Sequence, residues 1–228
     1  MYQLSRESLT LGGFAGLREY RIVTDSRVFG GHKSPEASEG IGNFVYLADA
    51  RFNPRGETHM HPHSEIDVIS VMVEGRVAHE GSLEHGKSLE EGDVQVQRAG
   101  GEGFSHNEVN PDDIHNRMLQ LWVLPEQAGQ PAGYKYYSPE SGKTTRIYGG
   151  RQGESETFDS HTTIDIVHLN AGDTTELPKE ALVYVFAGES LVSDRDETVT
   201  VKDGDLVRGH NLQVNTTGGV SLVVVAEG

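Results

Sequence analysis

The chain has 228 residues, with 35 acidic and 19 basic side chains and a formal net charge of −16 at pH 7. This length suits one large all-β or α/β domain or two domains of about 110 residues each, and the charge opposes binding to nucleic acid or to an anionic membrane. The chain lacks cysteine, which excludes disulfides, thiolate nucleophiles and iron–sulfur clusters and leaves histidines and carboxylates as metal donors.

The amino-terminal segment contains no basic region leading into an apolar stretch, and no run approaches 18 consecutive apolar residues. Neither a signal peptide nor a membrane span is therefore predicted. We expect a cytoplasmic protein that has no membrane partner and no direct nucleic-acid partner.

Short apolar or alternating runs, bounded by Gly, Asn, Asp and Pro, predict an all-β fold with little helix. The run 94–97, Val-Gln-Val-Gln, alternates strictly, as expected of a strand with one buried face. In chain order, the predicted strands are Phe44–Leu47, Val68–Val73, Val94–Gln97, Met118–Leu124, Ile164–Leu169, Leu182–Phe186, Val199–Val201 and Ser221–Val225.

Two pairs of glycines indicate an internal repeat. Gly75 and Gly188 each follow an apolar strand, and Gly92 and Gly204 each precede an aspartate at the start of the next strand. Such turns need the permissive backbone of glycine. The polar segment between the repeats contains several Pro and Gly residues, as a linker should. We predict two stacked barrels: residues 1–125 with an N-terminal extension, a linker at 126–145, and residues 146–228.

Histidines alternate along the segment 58–63, Thr-His-Met-His-Pro-His. Residues two apart on a strand point to the same face, so either His59 with His61 or His61 with His63 could bind one ion. His106 and Glu108 form a second pair with this spacing. If the two strands are neighbours, three imidazoles and one carboxylate would meet at a divalent ion and leave two octahedral positions open for chemistry.

The remaining histidines lack a histidine or acidic partner two residues later in the chain and are interpreted as surface or hydrogen-bonded core residues: His32, His79, His85, His115, His161, His168 and His210. Four apolar residues are candidates either for lining an aromatic pocket or for plain barrel core: Phe104, Ile69, Val71 and Met118.

Seven short motifs follow one another before Pro125: His61-Pro62-His63, Val73-Glu74-Gly75, Ala78–Ser82, Glu91–Gln95, Ala99–Gly103, His106-Asn107-Glu108 and Leu119–Trp122. In order and spacing they resemble the pirin family of bicupins. The resemblance implies two cupin, jelly-roll-like β-barrels. It also implies that the metal ligands are His61, His63, His106 and Glu108, which leaves His59 outside the ligand set.

The chain departs from the family pattern beside the implied site. Ser64-Glu65 stands where the family usually has Arg and then an acidic residue, and Gly101-Glu102-Gly103 stands where it has an Arg between two other residues. Two expected positive charges are thus missing. The usual N-terminal aromatic pattern is also absent from residues 1–45.

The repeat offset places non-ligand residues at most of the equivalent positions of the second barrel: Thr174, Glu176, Gly218 and Val220. We therefore expect one divalent metal ion per chain, in the first barrel. Iron(II) is the leading candidate, and Mn, Ni, Cu, Co and Zn are the others, because the affinity of such a nitrogen and oxygen site alone does not select iron.

The family resemblance implies a flavonol (quercetin-type) 2,3-dioxygenase, an oxidoreductase whose partners are a small aromatic substrate and O2. Glu108, the one carboxylate ligand, would then serve as the general base. Two alternatives remain open: a non-enzymatic, iron-binding redox sensor that binds a regulatory protein partner, and another single-metal cupin enzyme such as a sugar isomerase.

Overall fold

The computed structural model describes residues 1–83, 87–151 and 156–228. Eighteen strands account for most of its regular structure: β1 Tyr2–Ser5, β2 Gly12–Phe14, β3 Leu17–Thr24, β4 Phe44–Phe52, β5 His61–His63, β6 Asp67–Glu74, β7 Arg76–Gly81, β8 Ser88–Glu90, β9 Val94–Arg98, β10 Phe104–Val109, β11 Arg117–Val123, β12 Gly133–Tyr137, β13 Thr144–Gly150, β14 Ser160–Leu169, β15 Thr174–Ser193, β16 Thr198–Lys202, β17 Asp205–Asn215 and β18 Val220–Glu227.

Among the residues that the structure describes, helical structure is confined to α1, Ser26–Phe29, and to 3-10 turns at Arg6–Ser8 and Gly30–His32. The Asp25 side chain caps α1 by accepting a hydrogen bond from the Arg27 backbone N–H at 2.9 Å. No helix in the described ranges is long and apolar enough to cross a membrane. The predicted all-β class is confirmed, and each predicted strand overlaps an observed one.

The chain divides into two compact units. The N-terminal unit is Leu9–Ser138, and the C-terminal unit combines Met1–Ser8 with Pro139–Gly228. These bounds differ from the predicted ones in two places. Residues 1–8 belong with the C-terminal unit, because β1 pairs with β17, and part of the expected linker forms β12, which pairs with β9.

The N-terminal unit is built from two sheets whose inner faces contact each other. A seven-stranded sheet has the order β12-β9-β6-β11-β4-β3-β2, and a four-stranded sheet has the order β5-β10-β7-β8. One end of the space between them is filled by a fully buried apolar cluster from both sheets: Leu17, Ala50, Phe52, Met72, Val77, Leu89 and Met118. This end of the unit is ordinary hydrophobic core.

Polar side chains occupy the next layer of the same interior. Ser70, Gln95 and Gln120 project from three strands of the larger sheet toward Glu108 on β10 of the smaller one. All four are buried. Buried polar groups are stable only when they are hydrogen-bonded, so this layer marks where the interior changes from core to site.

The strand Val94–Arg98 corrects one prediction. All five of its residues are buried, so both faces are covered rather than one. The glutamine face points into the polar layer, where the Gln97 amide lies 3.2 Å from His79 Nε2. The alternation of this strand therefore separates a polar face, which points into the interior, from an apolar face that is also covered. It does not separate a buried face from a solvent-exposed one.

The C-terminal unit is a single seven-stranded sheet arrangement in which the 20-residue β15 pairs with β16, β17 and β18. Register shifts within β15 let one strand take part in several pairings. Its core is a cluster of valines and leucines from β14 to β18: Val167, Val183, Val185, Val192, Val201, Val207, Leu212, Val214, Val220, Leu222 and Val224, with Ala181.

The predicted repeat turns have the same local structure in both units. Gly92 and Gly204 have φ of 90° and 92°, a left-handed conformation that favours glycine. The carboxylate of Asp93 accepts a hydrogen bond from the Glu90 backbone at 2.9 Å, and that of Asp205 accepts one from the Lys202 backbone at 3.0 Å. The same turn is therefore formed by one Gly-Asp pair in each unit.

A buried ion pair ties β4 to β11 in the N-terminal unit. Arg117 donates from Nε and a terminal nitrogen to the two oxygens of Asp49, at 2.9 and 2.6 Å. Both side chains are buried. The two-point geometry compensates for the loss of water around each charge.

Candidate metal centre

Three histidine side chains meet at the open end of the polar layer. Strands β5 and β10 are antiparallel neighbours, with His61 opposite His106 and His63 opposite Phe104. His106 Nε2 lies 3.1 Å from His61 Nε2 and 3.2 Å from His63 Nε2. Nitrogens that share one ion lie within about 4.2 Å of each other, since each bond is about 2.0–2.1 Å. These separations are short enough for one ion.

The backbone of His59 orients the first of these rings. His61 Nδ1 lies 2.8 Å from the His59 carbonyl oxygen, and because a carbonyl only accepts, Nδ1 must carry the proton. The Nε2 lone pair of His61 then faces the other two rings. His59 has φ of 64°, which aims its carbonyl in this direction, while its own side chain is 71% exposed.

Burial keeps the other two imidazoles neutral. Burial, together with a smaller effect of His61, lowers the pKa of His63 to about 4. Burial, together with smaller effects of His61, His63 and His79, lowers the pKa of His106 to about 2. Neutral imidazole has a free lone pair, which is the form that binds a metal. Three close nitrogen lone pairs with no cation repel each other, so the donor set fits a divalent ion.

Glu108 lies on the same face of β10 as His106, two residues along the strand. Its Oε1 accepts from Ser70 Oγ at 2.8 Å and from Gln95 Nε2 at 3.5 Å, and its Oε2 accepts from Gln120 Nε2 at 3.4 Å. Burial raises its pKa to about 7, against the lowering effect of Ser70 and Gln120. The group of ligand atoms within 4.8 Å of one another contains the three histidines without Glu108. Its assignment as the fourth ligand stays a prediction.

Aromatic rings flank His63. The ring centroids of Phe104 and Trp122 lie 5.2 and 6.0 Å from that of His63. Trp122 also contacts Tyr46, at 4.4 Å, and Phe29 at the end of α1, at 6.1 Å. The centre therefore has aromatic side chains beside His63.

The other candidate residues from the sequence lie in different environments in the structure. His79 is a buried, hydrogen-bonded residue, as predicted, and its ring lies 5.6 Å from that of His106. Of the apolar candidates, Ile69 and Val71 lie on the opposite face of β6 from Ser70, and Met118 belongs to the apolar cluster. Phe104 alone adjoins the histidines. His85 lies outside the described residues.

Comparison with known proteins identifies the family. The family model named Pirin matches residues 28–123. A Pseudomonas aeruginosa protein named "Putative quercetin 2,3-dioxygenase" is 32% identical over 156 residues, which cover 65% of this chain and 67% of that protein. The chain belongs to the pirin family. An Escherichia coli relative of this pirin, named quercetin 2,3-dioxygenase, is 25% identical over 123 residues, 54% of this chain and 42% of that protein.

Solved structures confirm the bicupin fold of this pirin. The bacterial pirin YhhW from Escherichia coli, crystallised in complex with nickel(II), has a TM-score of 0.83 and 14% identity, and the match covers 98% of this chain and 97% of YhhW. A quercetin 2,3-dioxygenase from Acinetobacter baumannii has a TM-score of 0.72 and 19% identity, with 100% and 85% covered. At these identities the likeness concerns the fold.

Ser64 and Glu102 stand at the two positions of this pirin where the family resemblance led us to expect arginines, and Glu65 is the acidic residue expected after the first of them. Glu65 Oε1 accepts a hydrogen bond from the Gly129 backbone at 2.9 Å, and Glu102 Oε2 accepts one from the Ala132 backbone at 3.0 Å. The two carboxylates thus fix the loop before β12. A cavity of about 360 Å³ opens beside His63 and is lined by Pro62, Ser64, Ser82, Glu102, Gly103, Phe104 and Ser105.

The sequence analysis missed the residues that surround Glu108. Ser70, Gln95 and Gln120 are isolated polar residues in strands, and each alternates with apolar neighbours that cover the other face of its sheet. The sequence does contain a pattern that could have indicated these residues: Gln95 and Gln97 lie on one face of their strand, as do Gln120 and Trp122. A polar residue pair on one face of a strand that is otherwise buried indicates a polar interior.

Proposed function

We propose that this pirin is a metal-dependent dioxygenase that acts on a flavonol of the quercetin type, or on a related aromatic enolate, with O2. The main support is the meeting of three imidazole nitrogens beside the buried carboxylate of Glu108. The names of the Pseudomonas aeruginosa and Escherichia coli relatives agree with this reaction class.

In this proposal, His61, His63, His106 and Glu108 hold one ion, with iron(II) as the metal. The ion supplies Lewis acidity toward the substrate hydroxyl and one-electron chemistry toward O2. His63 and His106 take no proton, because burial and the neighbouring imidazoles lower their pKa values and keep them neutral at pH 7. The His59 carbonyl keeps His61 in the tautomer that binds through Nε2.

Glu108 accepts the proton of the substrate hydroxyl. A general base works best when its pKa is near the working pH. Burial raises the pKa of Glu108 to about 7 in the metal-free protein, and a bound cation would lower it from that value. The Ser70 hydroxyl and the Gln120 amide donate to the carboxylate and hold it in place while it is charged. In the protonated state, burial among neutral side chains stabilises it.

Phe104 and Trp122 position the aromatic part of the substrate. They lie on two sides of His63, and Phe104 also lines the cavity that opens there. Flat rings favour offset or edge contacts with other rings. These walls would also reduce the access of water to the deprotonated substrate.

Oxygen uptake with quercetin tests the proposal. The protein is loaded anaerobically with iron(II), its iron content is measured, and O2 consumption is followed together with loss of flavonol absorbance near pH 7. We expect uptake by the wild-type chain and by His59→Ala, and none by His106→Ala. A folded, iron-loaded protein that consumes no O2 with several flavonols refutes the dioxygenase and favours the iron-binding regulator.

A further inference from the structure

A continuous row of aromatic side chains begins at the metal centre and runs to buried Tyr46. The Trp122 ring lies 6.0 Å from His63, and the Tyr46 ring lies 4.4 Å from Trp122. Phe29 covers both rings, with centroid distances of 5.5 and 6.1 Å. Trp122 is the single tryptophan of the chain. Indole and phenol are the most easily oxidised aromatic side chains, and here they are in direct ring contact.

The phenol at the end of this row has a built-in proton acceptor. Tyr46 OH donates to Glu19 Oε2 at 2.9 Å, and both residues are buried, with exposed fractions of 3% and 1%. Arg21 donates to the other oxygen of Glu19 at 2.7 Å and keeps the carboxylate paired. Burial and the adjacent Glu19 raise the pKa of Tyr46 well above its usual range, so the phenol is protonated in the resting protein.

We propose that Trp122 and Tyr46 form an electron-transfer path that reduces an over-oxidised metal centre, with Glu19 as the acceptor of the Tyr46 proton. The path rests on the metal centre assigned above but not on the flavonol as substrate. A site that handles O2 occasionally produces a strong oxidant without consuming its substrate. An electron supplied from Tyr46 would then protect the histidine ligands from oxidation.

The step balances with hydrogen peroxide as the oxidant. Peroxide accepts two electrons, together with two protons from bulk water, and becomes two water molecules. One electron comes from iron(II), which becomes iron(III). The other comes from Trp122, whose electron vacancy is then filled by Tyr46. Tyr46 loses its phenolic hydrogen as an electron and a proton, the O–H bond breaks, and the proton moves to the Glu19 carboxylate along the existing hydrogen bond.

Freeze-quench EPR tests the path. Iron(II)-loaded protein, with its iron content measured, is mixed anaerobically with peroxide, and the radical is assigned by comparing samples grown with ring-deuterated tyrosine or ring-deuterated tryptophan. In the wild-type chain we expect a radical whose hyperfine structure changes with deuterated tyrosine. In Tyr46→Phe that signal is lost and a tryptophan signal replaces it. In Trp122→Phe the tyrosyl signal falls toward the level of the metal-free protein.

Tyr184→Phe is the matched control, since Tyr184 is equally buried but lies in the C-terminal unit; it should leave the signal unchanged. A tyrosyl signal that survives in Tyr46→Phe, or one that Trp122→Phe does not reduce, overturns the path. A chain that binds no iron overturns the path together with the metal centre. Iron-loaded protein that gives the Tyr46 radical but consumes no O2 with flavonols supports the path and refutes only the dioxygenase.

Discussion

Glu108 should make the stability of the metal-free protein depend on pH in a direction opposite to that of an ordinary carboxylate. Its pKa is raised from 4.5 to about 7 by burial. A group with a raised folded-state pKa adds stability below its unfolded pKa, and this stability is lost as pH rises through the folded pKa. Each pKa unit corresponds to about 1.4 kcal/mol, so the contribution of Glu108 falls by about 2–3 kcal/mol between pH 5 and pH 8.

Urea denaturation of chelator-treated wild-type protein and of Glu108→Gln measures this contribution. The amide is uncharged at every pH, so the difference in free energy of unfolding between the two proteins should change by about 2–3 kcal/mol between pH 5 and pH 8, with the wild type losing stability. Titration of the histidines is common to both and cancels. Glu91→Gln, at an exposed glutamate, serves as the control. A difference that stays constant with pH, or changes in the other direction, refutes the buried, raised-pKa carboxyl.

Three further outcomes are expected. His106→Ala should lose most of the bound metal and His59→Ala should keep it, because His59 contributes its backbone carbonyl rather than its ring; elemental analysis giving equal metal contents would contradict the ligand assignment. Ser70→Ala removes a hydrogen bond to the ionised Glu108 and should raise its pKa by about 1–2 units; an unchanged carboxyl band in an infrared titration of metal-free protein argues against this bond. Asp49→Ala removes the two-point partner of the buried Arg117 guanidinium and should lower the free energy of unfolding by about 3–5 kcal/mol in urea denaturation; a loss below 1 kcal/mol would mean that the pair is solvated.

Local pattern was sufficient for the strands and for the repeat. Runs such as Val68–Val73 are too short and too rich in β-branched residues for helices, and the Gly-Asp pairs need a left-handed turn wherever they occur. The bounds of the two units were harder to predict from the sequence. The pairing of β1 with β17 joins residues some 200 positions apart in sequence, and no local signal predicts such a partner.

Spacing predicted same-face pairs but left His59 with His61 and His61 with His63 both open, and the family resemblance favoured the second pair. His61, His63 and His106 meet because they lie on one face of two neighbouring strands. The polar layer under them was not predictable, because the partners of Glu108 come from three strands of the opposite sheet. The role of His59 also depends on a backbone angle, φ of 64°, that its identity does not reveal. Both features depend on tertiary contacts rather than on local sequence.

The two matching Gly-Asp turns bear on how the two halves of the chain are related and on how the second half could be engineered. Gly92-Asp93 and Gly204-Asp205 have the same backbone geometry, although only the first lies in the unit that contains the three histidines. A turn that is present both in the unit with the histidines and in the other unit serves the folding of the chain and not metal chemistry. The C-terminal half therefore offers a scaffold of the same design without the three histidines. Introducing histidines at residues 174 and 176 would test how few substitutions such a barrel needs in order to bind a metal.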